Sequence, residues 1–151
     1  MTPKNLAEHY FAQGRVMQIA TLHSGSPRVN SVYYVVADDM SAVYWMSEPQ
    51  RRHSEDLRHD ARMAGAIAIK TDPPVAGVQF TGRGSVVQEH AKQRTIIAAY
   101  NQKYDNVAKG LAERIEQGTN KHQIYELTFE SVEVFDELNL PGGGPLPVSR
   151  D

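Results

Sequence analysis

"YWMSEPQRRHSEDLRHDARMA" runs from Tyr44 to Ala64 and passes from one kind of structure to another. Its start belongs to "AVYWMS" (Ala42 to Ser47), β-branched and aromatic as a strand should be. Residues His53 to Met63 carry Leu57 and Ala61 four apart among charges, the spacing of a short helix. Arg51, Arg52 and His53 stand at the junction. If the strand ends at Ser47 and the helix begins near His53, a hydroxyl, two guanidinium groups, an imidazole and the free N–H groups of a helix start converge on one point. That is a phosphate-sized site, because arginine grips phosphate oxygens with paired hydrogen bonds and the helix dipole favours an anion. The same run also reads as a solvated basic turn, the commoner fate of surface charge.

The chain around it sets the frame. Its 151 residues fit one domain with one ordinary core. Sixteen basic against 18 acidic residues give a formal charge of -2, so no bulk field draws nucleic acid or an anionic membrane, and any anion must be held locally. The absence of cysteine removes disulfides, thiolate metal sites and thiol nucleophiles, and suits a reducing cytoplasm. No apolar run resembles a signal peptide or a membrane span, so a cytoplasmic protein is expected.

Thr2 and Pro3 open a short helix with Leu6, Ala7, Tyr10 and Phe11 on one face, ended by Gly14. "RVMQIATL" (Arg15 to Leu22) and "RVNSVYYVVA" (Arg28 to Ala37) precede Ala42 to Ser47 as strands, with "HSGSP" and "DDMS" as turns. "AGAIAIK" and "GVQFTGRGSVVQ" follow as two more, around a "TDPPVA" segment whose prolines cannot lie in a ladder. Ile96, Ile97, Tyr100 and Tyr104 mark a helix, and Val107, Leu111 and Ile115 a second piece before Gly118. "KHQIYELTFESVEVFDEL" (Lys121 to Leu138) closes the regular part as one long strand or two short ones. Sequential hairpins followed by helices favour an α+β fold: a small antiparallel barrel of six or seven strands with helices outside. Residues 1–138 form the domain, and 139–151, with three glycines and few apolar residues, are expected to be a mobile tail unless a partner chain holds them.

Other chemistries find little support. His53 and His59 are six apart and no carboxylate completes a set, so no metal site is expected. "GRGS" (Gly82 to Ser85) lacks the ending of a phosphate loop, and its glycines mark a bulge or the close approach of another backbone. No nucleophile elbow occurs. Trp45, Tyr33 and Tyr34 read as packing rather than as a ligand platform.

The segment "VYWMSEPQRRHSEDLRHDARMAGAIA" resembles the pyridoxamine 5'-phosphate oxidase-like FMN-binding split-barrel family. There a strand ends in Ser or Thr, a basic residue follows about six positions on, and a helix leads into an "L-x-x-x-P-R-V-A"-like motif. Ser47, His53, Leu57, Arg62 and Ala64 match in order, while Ala61 and Met63 depart at structural positions. The opening hairpin, a glycine at Gly82 in the fifth strand and the closing acidic strand extend the likeness over Leu6 to Glu137. The resemblance implies a homodimer with flavin mononucleotide (FMN) between two barrels and a small-molecule substrate. It implies the phosphate at Ser47, Arg52 and His53, with Arg51 beside them, and the ring along Asn30, Ser31, Val32 and Tyr33. Gln79 is a further candidate for a flavin edge. No side chain is assigned a catalytic role. The implied activity is electron or hydride transfer; a flavin- or haem-binding module without activity, or a reductase using the deazaflavin F420, are the alternatives on the same fold.

Overall fold

The computed structural model describes residues 1–149. Helix α1 (Pro3–Gln13) starts where Thr2 accepts a hydrogen bond from the Asn5 amide at 3.1 Å, and it buries Leu6, Ala7, Tyr10 and Phe11. Strands β1 (Val16–His23) and β2 (Ser26–Tyr33) form a hairpin in full register from Val16 opposite Tyr33 to His23 opposite Ser26. Its two turn residues, Ser24 and Gly25, both have positive φ, as a two-residue hairpin loop demands. Then come β3 (Val35–Val36), β4 (Ala42–Ser47), α2 (Arg52–His59), β5 (Arg62–Lys70), β6 (Ala76–Val86), α3 (His90–Lys103), α4 (Leu111–Glu116), β7 (Gln123–Asp136) and β8 (Leu146–Pro147).

The hydrogen-bonded order is β2-β1-β5-β6-β7-β4-β3, with β8 added to β7, and the pairs are antiparallel throughout. Strands β2 and β3 follow one another in the chain yet lie at opposite ends of that order. The sheet must therefore curl until its ends meet, and because β2 and β4 do not pair, a split runs between them. This is the expected α+β split barrel. Its strand count is six substantial strands plus the two-residue β3 and β8.

The expected single strand over Arg28 to Ala37 is broken at Tyr34. The Tyr34 amide donates to the Tyr104 hydroxyl at 3.2 Å, and that hydroxyl in turn donates to the Tyr34 carbonyl. A side chain 70 residues away thus takes both backbone groups that a ladder would have used, and the chain turns from β1 towards β4.

Two apolar clusters result. One fills the barrel with Met17, Ile19, Val43, Trp45, Phe80 and Leu127, capped by α1. The second lies outside β3, β4 and β7, where Ile96, Ile97, Tyr100 and Leu111 of α3 and α4 cover Val35, Tyr44 and Ile124. Trp45 is fully buried and stacked on Tyr125, which makes it core, as read from the sequence. Gly82 sits where the β6–β7 register shifts, and a Cβ there would stand 2.0 Å from the Thr128 carbonyl oxygen. Both readings of that glycine, bulge and close approach, hold.

The segment expected to be a mobile tail is docked as far as Val148. Leu140 and Val148 are buried, and β8 pairs with β7. The glycines read as a source of freedom are instead a left-handed run, with φ of 68°, 79° and 84° at Gly142, Gly143 and Gly144, which folds the chain back on β7. The last two residues of that segment lie outside the described residues. No helix among the described residues is long and apolar enough to cross a membrane.

Candidate functional site: the trough in the split

At the end of β4 the chain turns through Glu48 to Arg51 into α2. Arg51 occupies the cap position and no side chain caps the helix, so the first-turn amides are left for another acceptor. Ser47 and His53 are both buried and share a 2.9 Å hydrogen bond between Oγ and Nε2. Burial holds the His53 imidazole below its ordinary pKa, and the Arg51 guanidinium beside it adds to the effect. At neutral pH it is a neutral ring that orients the Ser47 hydroxyl. Arg58 braces the turn, donating to the Pro49 carbonyl at 3.1 Å.

What seats α2 is Asp56, only 2% exposed. Its carboxylate accepts from the Thr21 hydroxyl at 2.8 Å and faces His23 Nδ1 and an Arg28 nitrogen, each at 3.4 Å. Because Thr21, His23 and Arg28 all belong to the β1–β2 hairpin, this network fixes the middle of α2 relative to β2 across the split. Nothing in the sequence distinguished Asp56 from the solvated charges around it.

A cavity of about 460 Å³ opens over this corner. It is lined by Asn30, Ser31 and Val32 from β2, by Ser47, Arg51, Arg52 and His53, and by Met46, Glu48 and His122. Among the described residues neither Arg51 nor Arg52 has a carboxylate or other side-chain hydrogen-bond partner, whereas the Glu48 carboxylate is engaged by Gln50. The Asn30 Nδ2 is buried and unpartnered as well. Two guanidinium groups without a protein partner thus border a cavity that Asn30 also lines.

A second cavity, about 570 Å³, shares Ser31, Val32, Met46 and His122 with the first. It adds Tyr33, Tyr100, Tyr104, Val107 and Leu111 as apolar walls, with Arg15 and Arg114. Tyr100 donates to the Tyr33 carbonyl at 2.8 Å and so pins the end of β2 to α3. The two cavities make one trough along the split, cationic at the α2 end and aromatic at the α3–α4 end.

Eight of the nine sequence candidates line this trough: Asn30, Ser31, Val32, Tyr33, Ser47, Arg51, Arg52 and His53. Gln79 does not. It stands on β6 opposite Ala66 and lines a separate groove of about 390 Å³ with Gln18, Ala64, Gly65 and Glu133. Its strand face, set by period-two alternation, carries it away from the split. Sequence reasoning missed Met46, the strand neighbour of Ser47, and His122, which is distant in the chain and reaches the rim through the β4–β7 pairing that aligns Ser47 with Gln123. No group of three or more His, Cys, Asp or Glu among the described residues could hold a metal ion.

A family model described as pyridoxamine 5'-phosphate oxidase matches residues 4–136. The chain belongs to the pyridoxamine 5'-phosphate oxidase family. The resemblance read from the order of the motifs is thereby borne out. Among curated proteins the chain is similar to the UPF0306 protein PM1958 of Pasteurella multocida, 35% identical over 69 residues, or 44% of this chain and 46% of that one. The match spans about half the length of that relative. Among solved structures it is similar to the conserved hypothetical protein Rv2991 of Mycobacterium tuberculosis, with a TM-score of 0.74, 20% identity and coverage of 93% of this chain and 89% of that one. HutZ, the heme storage protein of Vibrio cholerae, gives a TM-score of 0.71 at 15% identity, covering 90% and 95%. At these identities the likeness is one of fold alone.

Proposed function

We propose that the trough holds FMN and that the protein is an FMN-dependent oxidoreductase acting on a small molecule. The observation that carries this reading is the convergence of two unpaired guanidinium groups, the Ser47–His53 pair and the uncapped start of α2 on a single cavity. Those donors fit a phosphate. In this reading Arg51 and Arg52 grip it, the Ser47 hydroxyl held by His53 completes the cradle, and the Asp56 network keeps α2 in place. Asn30 to Tyr33 lie along an edge strand whose outer backbone groups face the split, and they would meet the polar rim of the ring. Tyr33, Tyr100 and Tyr104 exclude water from the wall beside it. Bound flavin would supply the electron or hydride chemistry, and the protein binding, orientation and exclusion of solvent.

A second copy of the chain closing over the open trough is part of the proposal. Sedimentation of the protein over a range of concentrations tests it, with a dimer expected and a monomer at all concentrations refuting it. A haem reading has one residue in its favour, the exposed His122 on the rim shared by both cavities. The test that separates them is titration of FMN and riboflavin, followed by quenching of flavin fluorescence. Two charge-assisted hydrogen bonds at about 1.5 kcal/mol each predict a preference of about a hundred-fold for FMN. Equal affinity would mean that nothing grips the phosphate.

A further inference from the structure

The aromatic end of the trough carries a charge of its own that the flavin phosphate does not use. No acidic side chain lines the second cavity among the described residues, but Arg15 and Arg114 both do. Neither guanidinium has a carboxylate partner there. Arg15 lies 5.0 Å over the Tyr104 ring, and Arg114 makes a single 3.3 Å hydrogen bond to the Lys109 carbonyl. Behind the same wall Lys103 sits 4.0 Å over the Tyr34 ring and donates to the Phe11 carbonyl at 3.2 Å, also without an acidic partner. Burial, with Arg15 nearby, brings its ammonium down to about 8, as expected of a region already crowded with positive charge.

Position along the hairpin separates this cluster from the first. Asn30 lines the α2 end and Tyr33 the aromatic end, about 10 Å apart at roughly 3.3 Å per residue. Arg15 precedes Val16, the residue paired with Tyr33, and so lies beyond it. The trough therefore has two cationic ends around a floor walled by Tyr33, Tyr100, Val107 and Leu111. An apolar floor bordered by two guanidinium forks without carboxylate partners suits a flat apolar body with a planar two-oxygen head.

We propose that the substrate of this protein is a flat, apolar carboxylate, its body against Tyr33 and the α3–α4 wall and its head between Arg15 and Arg114. The proposal rests on the flavin reading for the use made of the ligand, but not for its binding. The test uses 2-naphthoate and its neutral counterpart 2-naphthylmethanol, titrated against the full chain by protein fluorescence with and without saturating FMN. Naphthoate is expected to bind about ten- to a hundred-fold tighter than the alcohol, the worth of one or two charge-assisted hydrogen bonds. That preference should disappear in Arg15→Ala/Arg114→Ala, whose two exposed side chains can be removed without disturbing the fold. Equal binding of the two probes, or a preference that survives the double variant, overturns the proposal. So does competition between naphthoate and FMN, because substrate and coenzyme must share the trough. If the flavin reading alone fails, FMN and riboflavin bind alike or not at all while the naphthoate preference and its dependence on Arg15 and Arg114 persist.

Discussion

Replacing Asp56 by alanine tests whether the α2 corner is seated by one buried carboxylate. The charge-assisted bond from Thr21 is worth about 1.5–3 kcal/mol. The two cation contacts at 3.4 Å add less, because Arg28 is a quarter exposed and His23 mostly exposed; each contributes about 0–1 kcal/mol after solvent screening. Truncation also strands the Thr21 hydroxyl, itself buried at 1% exposure. A loss of about 3 kcal/mol follows, which in a domain of this size lowers the melting temperature by roughly 6–12 °C. Asp56→Asn retains an acceptor for Thr21 and should cost only about 1 kcal/mol. Thermal unfolding measures the stability, and flavin titration of the same samples measures the site. Asp56→Ala should weaken FMN and leave riboflavin unchanged, since only the phosphate end is displaced. Wild-type melting in Asp56→Ala, or an asparagine variant as damaged as the alanine one, would refute the reasoning.

Three further outcomes are expected. Arg52→Glu sets a carboxylate against the phosphate and should abolish FMN binding; since the side chain is exposed and unpaired, stability should change by less than about 0.5 kcal/mol in urea unfolding. Gly82→Ala forces a methyl group to within 2.0 Å of a backbone oxygen and should destabilise by at least about 1–3 kcal/mol, whereas an unchanged urea midpoint would place that contact in doubt. Asp136, only 2% exposed, pays for burial that pushes its carboxyl up, but donors from Tyr10, Leu138 and Asn139 outweigh that and hold its pKa below the ordinary carboxylate value. Its stabilisation is therefore complete above the unfolded value near 3.9 and is lost as the pH falls through the lower folded value. Asp136→Asn should be less stable at pH 7 yet lose less stability than wild type on acidification, as read by urea midpoints across that range.

The hairpins and the Ser47–His53 corner were legible because each is encoded locally, in β-branched runs broken by turn residues and a basic cluster at the junction; the helix expected over His53 to Met63 from Leu57 and Ala61 exists but ends at His59, and Arg62 and Met63 already belong to β5. The family likeness then ordered these pieces into a split barrel. What local pattern could not supply were features made by distant partners. "SVYYVVA" contains no breaker, and only the Tyr104 hydroxyl interrupts it at Tyr34. Asp56 sits in a run of charges and is buried because three hairpin side chains surround it. The glycine triplet of the tail looked like freedom, yet Gly144 is needed because a Cβ would stand 2.9 Å from the Val134 carbonyl oxygen. Gln79 lies off the trough for the opposite reason: a glutamine near the right glycine was read without the strand parity that decides which face it takes.

The claim on which the rest depends is that the trough binds a phosphorylated flavin. The most direct measurement is the visible absorption spectrum of the protein as purified and after incubation with FMN, with mass spectrometry of whatever boiling releases. The account predicts the two-banded spectrum of oxidised flavin and release of FMN. A haem spectrum from the purified protein, or a protein that remains colourless after incubation with FMN and removal of the excess, would contradict it.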